Sequence, residues 1–327
     1  MNFYSKMNSV ILCCAALPLI VIFIRKCRRL TWGWYNDESL LTNKCFIVTG
    51  ANSGIGKETV KALVKRKARV IMGCRDIEKA REVIKEIRNS IQSGELIPME
   101  LDLASLKSIR HFAVEVIRDF PQIHVLINNA GVAIPPLREC KTKEGLEINM
   151  GVNHIGHFYL TKLLLQKLKD SAPSRIIIVS SKLHEKGEID FDNLLGEHGY
   201  DGVRNRNPAY NNSKLANVYF CRELAKRLPP GIETYAVCPG LCFTKLMRHA
   251  GIKWYQYIML TPVALFFLRS AEQGCQTVLH CALSDGVIGQ SGKIFRDCKL
   301  YHSSHKFDNT IQEKLWRITE RLINKYI

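Results

Sequence analysis

Cys45-Phe-Ile-Val-Thr49 is an unbroken apolar run that passes directly into Gly50-Ala-Asn-Ser-Gly54-Ile-Gly56, and Ile55 to Lys67 then carries a helical pattern. A strand that is apolar on both faces must be covered on both faces, so strand, glycine turn and helix in this order predict a parallel α/β unit. Glycines let the backbone approach a bound group closely. The start of the following helix offers unpaired N–H groups and partial positive charge, which makes the turn a candidate phosphate site. Gly50, Asn52, Ser53, Gly54, Ile55 and Gly56 are its candidate contacts. The GxxxGxG spacing departs from the GxGxxG fingerprint, so the turn alone leaves an ordinary glycine turn as the alternative.

The same alternation continues along the chain. Strands are expected at Arg69 to Met72, Leu96 to Leu101, His124 to Asn128, Arg175 to Ser180 and Glu233 to Val237. Helices are expected at Ile77 to Ser90, around Ser105–Phe120, Gly145–Lys169, Tyr210–Leu228 and Ala271–Ser284, with Asp76 placed to cap the first of these. There is no internal repeat and no low-complexity tract. The fold class is therefore α/β: one domain over residues 43–327, built on a doubly wound parallel sheet of the Rossmann type.

The chain has 327 residues and is 46% hydrophobic, enough for one large core. Its 12 cysteines are dispersed, without a CxxC pair, and read as free thiols of a reducing compartment. His154-Ile-Gly-His157 comes nearest to a metal motif but lacks a partner pair, so no metal is expected. A net charge of +17 suits nucleic acid, an anionic membrane surface or an anionic cofactor. The basic residues are spread over amphipathic helices, without an arginine-rich tract or interleaved aromatics, which argues against nucleic acid.

Val10 to Ile24 runs without a charge and, as a helix, would span roughly 22 Å. Only Lys6 precedes it, while Arg25-Lys-Cys-Arg-Arg29 follows at once, the reverse of a cleaved signal peptide. Residues 1–29 are accordingly expected to be an N-terminal membrane anchor helix with its basic flank, and 30–42 a linker. Positive charge stays on the cytoplasmic side, which places the catalytic domain in the cytosol. The endoplasmic reticulum is the expected membrane, and a mitochondrial membrane the alternative. The sequon Asn211-Asn-Ser213 points the same way, because a glycan beside Tyr210 would obstruct the site proposed next.

Tyr210 and Lys214 are four residues apart and fall on one helix face. A carbonyl that accepts a hydride becomes an alkoxide needing a proton, which a tyrosine can supply. In the reverse direction a neutral phenol, with a pKa near 10, is a poor base, and a nearby ammonium favours the phenolate. Ser181 ends the fifth strand, where its hydroxyl can polarise a substrate oxygen; Ser180 is the neighbouring competitor. Asn153 lies within a long helical stretch.

With Asn128-Asn-Ala-Gly131 after the fourth strand and Pro239-Gly240 after the sixth, these residues resemble the short-chain dehydrogenase/reductase superfamily over roughly residues 40–300. Gly50-Ala-Asn-Ser-Gly-Ile-Gly-Lys-Glu-Thr59, Gly151-Val-Asn-His-Ile-Gly-His-Phe158, Ser213-Lys-Leu-Ala-Asn217, Ser291-Gly-Lys-Ile-Phe295 and Asp297-Cys-Lys299 are closer still to the membrane-anchored retinol dehydrogenases. The resemblance implies Tyr210 as acid/base and Lys214 as its partner on the nicotinamide ribose. It implies Ser181 at the substrate oxygen and Asn153 near a proton-relay water. It also places Asp102 at the adenine, Asn129 and Gly131 beside its ribose, and Pro239, Gly240 and Thr244 at the nicotinamide and phosphate end.

At the end of the second strand an acid would favour NAD(H), whereas Met72-Gly-Cys-Arg75-Asp76 presents Arg75 to a 2′-phosphate. Cys74 stands where the discriminating acid is expected, and Asp76 is either a ribose ligand or a helix cap. NADP(H) is therefore favoured, with NAD(H) as the alternative. Trp254 to Leu268 is apolar and reads as a substrate lid or a buried core helix. The expected partners are a membrane and a lipophilic carbonyl or alcohol substrate. The resemblance implies a retinoid aldehyde and alcohol; a steroid or long-chain lipid aldehyde or ketone is the rival, and a catalytically idle cofactor-sensing protein the reading from another class. Oligomeric state, isomer and direction stay open.

Overall fold

The computed structural model describes residues 23–135, 140–200, 207–242 and 268–324. Most of the apolar N-terminal run, Thr244 and all of the 254–268 segment except Leu268 lie outside them. Among the described residues no helix is long and apolar enough to cross a membrane.

The first seven strands are parallel: β1 (Cys45–Thr49), β2 (Arg69–Cys74), β3 (Glu95–Glu100), β4 (Val125–Asn128), β5 (Ser174–Val179), β6 (Ile232–Val237) and β7 (Ile294–Arg296). A two-residue strand, β8 (Lys299–Leu300), turns back antiparallel on β7. Their order in the sheet is β3-β2-β1-β4-β5-β6-β7-β8. All five β1 residues are buried, as its continuous apolar run requires. Helices α1 (Gly54–Lys65), α2 (Ile77–Arg88), α3 (Leu106–Asp119), α4 (Gly156–Asp170), α5 (Pro208–Arg227) and α6 (Ala271–Leu283) follow, with α7 (Asn309–Asn324) last. One face of the sheet packs Val60, Leu63, Ile87 and Val278 from α1, α2 and α6. The other packs Phe112, Phe158, Leu224 and Trp316 from α3, α4, α5 and α7.

Local chemistry sets the helix starts. Asp76 accepts from the Lys79 N–H at 3.0 Å and caps α2. Asn207 accepts from the Tyr210 N–H at 3.1 Å and, with Pro208 in the first turn, starts α5. Ser270 and Gln273 form a reciprocal capping box on α6. The predicted Gly145–Lys169 helix instead begins at Ile148 and contains a π-helical turn, Gly151–Ile155, before α4. Such turns are rare, and this one centres on Asn153.

The chain winds outward from β1 to β3 and then returns to place β4 on the other side of β1. The carboxyl ends of β1 and β4 thus flank the point where strand order reverses, the crevice in which doubly wound sheets bind ligands.

Candidate active site

At that crevice a methyl group on Gly56 would run into the carbonyl of Gly50 and the side-chain amide of Asn129, so only glycine lets the turn close against α1. Ser53 sits at the N-cap of α1 without its side chain capping the helix. The turn therefore presents a hydroxyl and first-turn N–H groups, a donor set that fits a dinucleotide pyrophosphate. Asn52 and Ile55 are partly exposed beside it.

Thr49 ties this turn to the next strand end. Its Oγ1 accepts from the N–H groups of Asn129 and Ala130, each at 2.9 Å, and Asn129 Nδ2 donates to the Thr49 carbonyl at 2.8 Å. His157 Nδ1 lies 3.0 Å from the Asn153 carbonyl, which can only accept, so Nδ1 carries the proton. His157 Nε2 then accepts from Thr49 Oγ1 at 2.9 Å. Burial holds His157 at about 3, well below an ordinary histidine, and keeps it neutral in this role. His154, three residues earlier, faces Thr319 on α7 instead, at 3.1 Å, so the two histidines serve different neighbours.

Asn153 clamps the residue after Gly131: its Oδ1 accepts from Val132 N–H at 2.8 Å and its Nδ2 donates to Val132 O at 2.9 Å. Nδ2 also reaches Ser213 Oγ on α5 at 2.9 Å. Asn153 thus joins the β4 turn to the helix carrying Tyr210 and Lys214. Lys214 Nζ donates to Val179 O at 3.0 Å, leaving further N–H donors for a ribose. It lies 5.7 Å from the Tyr210 ring centre.

The serine pair separates cleanly. Ser180 Oγ donates to the Lys214 carbonyl at 2.7 Å and is buried, so it is a structural tie. Ser181 remains partly exposed: its Oγ accepts from Leu183 N–H at 3.2 Å and lies beside the Tyr210 phenol. Burial pushes the Tyr210 phenol up to about 12, the Ser181 bond pulling the other way, and burial pushes Lys214 down to about 8. The phenol is therefore held protonated at neutral pH, as a proton donor in carbonyl reduction must be. Oxidation needs the phenolate, and the Lys214 charge favours it.

At the end of β2 Arg75 is exposed and Asp76 is engaged as the α2 cap. The buried Cys74 thiol faces the N–H groups of Ala51 and Asn52, and burial raises it to about 11, so it is uncharged. Asp102 Oδ1 accepts from Ala104 N–H at 3.0 Å, while Ser105 caps α3. Asn211 is 2% exposed within α5, so packing alone excludes a glycan there and the sequon carries no information about compartment.

Two supports were not found from sequence. His184 Nδ1 donates to the Ser181 carbonyl at 2.6 Å, and its Nε2 accepts from Ser303 Oγ at 2.7 Å. Glu185 beside it accepts from Tyr301 OH at 2.6 Å and Ser304 N–H at 3.1 Å. The C-terminal stretch 301–304 thereby braces the turn that presents Ser181. Arg269, at the other flank, donates to the carbonyl of Pro239 at 3.3 Å and abuts Gly240. The sequence signal for His184 is its place three residues after Ser181; Arg269 has none.

The sequence pattern of the short chain dehydrogenase family matches residues 44–192. Human retinol dehydrogenase 11 is 46% identical over 294 residues, covering 89% of each chain. Human retinol dehydrogenase 12 is 45% identical, covering 86% of this chain and 87% of its own. A solved structure from Mycobacterium paratuberculosis is 30% identical with a TM-score of 0.66, covering 89% of this chain and 97% of that one. The RhlG/NADP active-site complex of Pseudomonas aeruginosa, 23% identical with a TM-score of 0.63 over 78% of this chain and 95% of that one, shares the fold.

Proposed function

The chain belongs to the short-chain dehydrogenase family, and from that premise we propose that it is an NADP(H)-dependent oxidoreductase interconverting a retinoid aldehyde and its alcohol. The observation that carries this reading is Ser181 beside the Tyr210 phenol with Lys214 one helical turn away, in a chain 46% identical to a retinol dehydrogenase. A bound nicotinamide would supply or take up the hydride, and the chain handles the proton. Ser181 orients the carbonyl oxygen, and Tyr210 O–H gives its proton to that oxygen as the C–H bond forms. Lys214 offers positive charge toward the resulting phenolate and would hold the nicotinamide ribose. Asn153 keeps the Gly131 turn registered on the helix that carries both.

NADP(H) is supported by three features at the end of β2. Arg75 is exposed there, Asp76 is occupied as a cap, and Cys74 is a neutral thiol where a carboxylate would repel a 2′-phosphate. Asn52, Ser53 and the glycine turn would hold the pyrophosphate, Asp102 the adenine, Asn129 and Gly131 its ribose flank, and Pro239, Gly240 and Thr244 the carboxamide end. An anchor at residues 1–29, with the catalytic domain in the cytosol on the endoplasmic reticulum, suits a substrate dissolved in lipid.

The test is one membrane preparation assayed with retinal, a steroid ketone and a long-chain aldehyde, each with NADPH and NADH. Preference for retinal with NADPH is expected. Faster turnover of the steroid or the aliphatic aldehyde would replace the retinoid assignment, and equal use of NADH would remove the cofactor assignment.

A further inference from the structure

Residues 32–35 are bound tightly to the catalytic domain at a point that bears on the site. Trp32 is 8% exposed, and the Arg269 guanidinium lies over its ring with Cζ 4.9 Å from the centroid. A methyl on Gly33 would collide with the carbonyl of Asp297, so the backbone passes there only as glycine. Tyr35 N–H donates to Gln276 Oε1 at 3.2 Å, and its ring meets His280 edge-on at 5.9 Å, both on α6.

Arg269 is the centre of this contact. It is 5% exposed and ion-pairs with Asp297. Its side chain donates to the carbonyl of Pro239, and Gly240 packs against the guanidinium. Its backbone N–H donates to Leu241 O at 2.8 Å, and Arg269 pairs with Cys242 as a parallel bridge. One residue therefore holds Leu241 and Cys242 against the chain that enters α6. It also fixes the Pro239–Gly240 loop at the end of β6. A buried guanidinium needs partners on every side, and Asp297 and Pro239 occupy its edge. The Trp32 ring covers its face, where a desolvated cation–π contact is strongest.

We propose that Trp32 is a positioning residue: the segment adjoining the basic N-terminal flank clamps Arg269, and through it the Pro239–Gly240 loop and the Leu241–Cys242 stretch that Arg269 holds. The inference rests on the proposed function insofar as Pro239 and Gly240 are taken to meet the nicotinamide.

The experiment uses the full chain in phospholipid nanodiscs and compares wild type with Trp32→Leu, Trp32→Phe and Gly33→Ala. The two readouts are kcat/KM for retinal with NADPH, and the rate of tryptic cleavage after Lys245, Arg248 and Lys253. Trp32→Leu and Gly33→Ala should lower kcat/KM and speed cleavage by about fivefold or more, the worth of a desolvated cation–π contact. Cleavage after Arg88 and Lys169, in α2 and α4, should stay at the wild-type rate. Trp32→Phe, which keeps an aromatic face, should restore both readouts. Unchanged kinetics and cleavage in Trp32→Leu and Gly33→Ala, or acceleration at Arg88 and Lys169 to the same degree, would overturn the proposal. Should wild type turn over no retinoid with either nicotinamide, the functional reading falls, while the cleavage comparison still decides the role of Trp32.

Discussion

Lowering the pH from 7.5 to 5 should destabilise this fold through two histidines that the core keeps neutral. His154 and His157 are both buried, and burial takes them from the ordinary 6.5 to about 4 and about 3. A group whose folded pKa is depressed contributes its full share above the unfolded value and loses it as pH falls toward the folded one. At pH 5 each histidine is protonated in the unfolded chain and neutral in the native one. With about 1.4 kcal/mol per pH unit, the interval below 6.5 costs about 2 kcal/mol per histidine, or about 4 kcal/mol for the pair. That is a large share of the roughly 5–15 kcal/mol by which domains are stable. His124, His184, His280 and His305, also lowered by burial, act in the same direction. The assay is urea unfolding of detergent-solubilised protein, followed by tryptophan fluorescence at pH 7.5, 6.5, 5.5 and 5. The His154→Gln/His157→Gln double variant should be less stable at pH 7.5. Its stability should nevertheless fall less steeply between pH 6 and 5, by about 2.7 kcal/mol per unit. An unfolding free energy that is the same for wild type at pH 7.5 and 5, or a double variant with the wild-type slope, would refute the reasoning.

Three further outcomes are expected. Tyr210→Phe keeps the packed ring and removes the proton donor, so turnover should fall at least about a hundredfold while NADPH binding, read by fluorescence, persists; near-normal turnover would sink the assignment. Arg75→Ala should weaken NADPH far more than NADH in binding titrations, since only the former loses a charge-assisted bond, and equal weakening would make Arg75 structural. Intact vesicles should leave the catalytic domain open to added protease, and the protein should resist carbonate extraction; protection of the domain would reverse the orientation.

Six of the seven parallel strands were legible because they advertise themselves locally. β1, β4, β5 and β6 are apolar runs buried nearly throughout, and their register follows once they lie side by side. Caps were legible for the same reason: Asp76 acts within one turn of its own position. The β7–β8 hairpin was not, since strands of three and two residues carry no period to read. α7 does carry a helical stripe, with Leu315, Trp316, Thr319 and Ile323 buried, but nothing in its spacing names α4 and α5 as the surface it covers.

The site divides along the same line. The residues proposed to touch the reacting groups, Ser181, Tyr210, Lys214 and the glycine turn, sit in local motifs that spacing can point to, whereas their supports are pairs distant in sequence. Thr49 with His157 and His184 with Ser303 are 108 and 119 residues apart, and neither partner predicts the other. The serine pair shows how structure adds what spacing withholds. Both hydroxyls end the same strand, and the choice between them depends on which is already engaged. Ser180 donates to the Lys214 carbonyl, an internal tie that its burial makes costly to break, while Ser181 only accepts, from Leu183 N–H, and keeps its own proton to donate beside Tyr210. His184 then holds the Ser181 backbone from behind, with its proton on Nδ1 because the carbonyl can only accept. A neutral imidazole in that position anchors the serine without adding charge beside the phenol, so the proton affinity of Tyr210 is left chiefly to burial, with Ser181 opposing it.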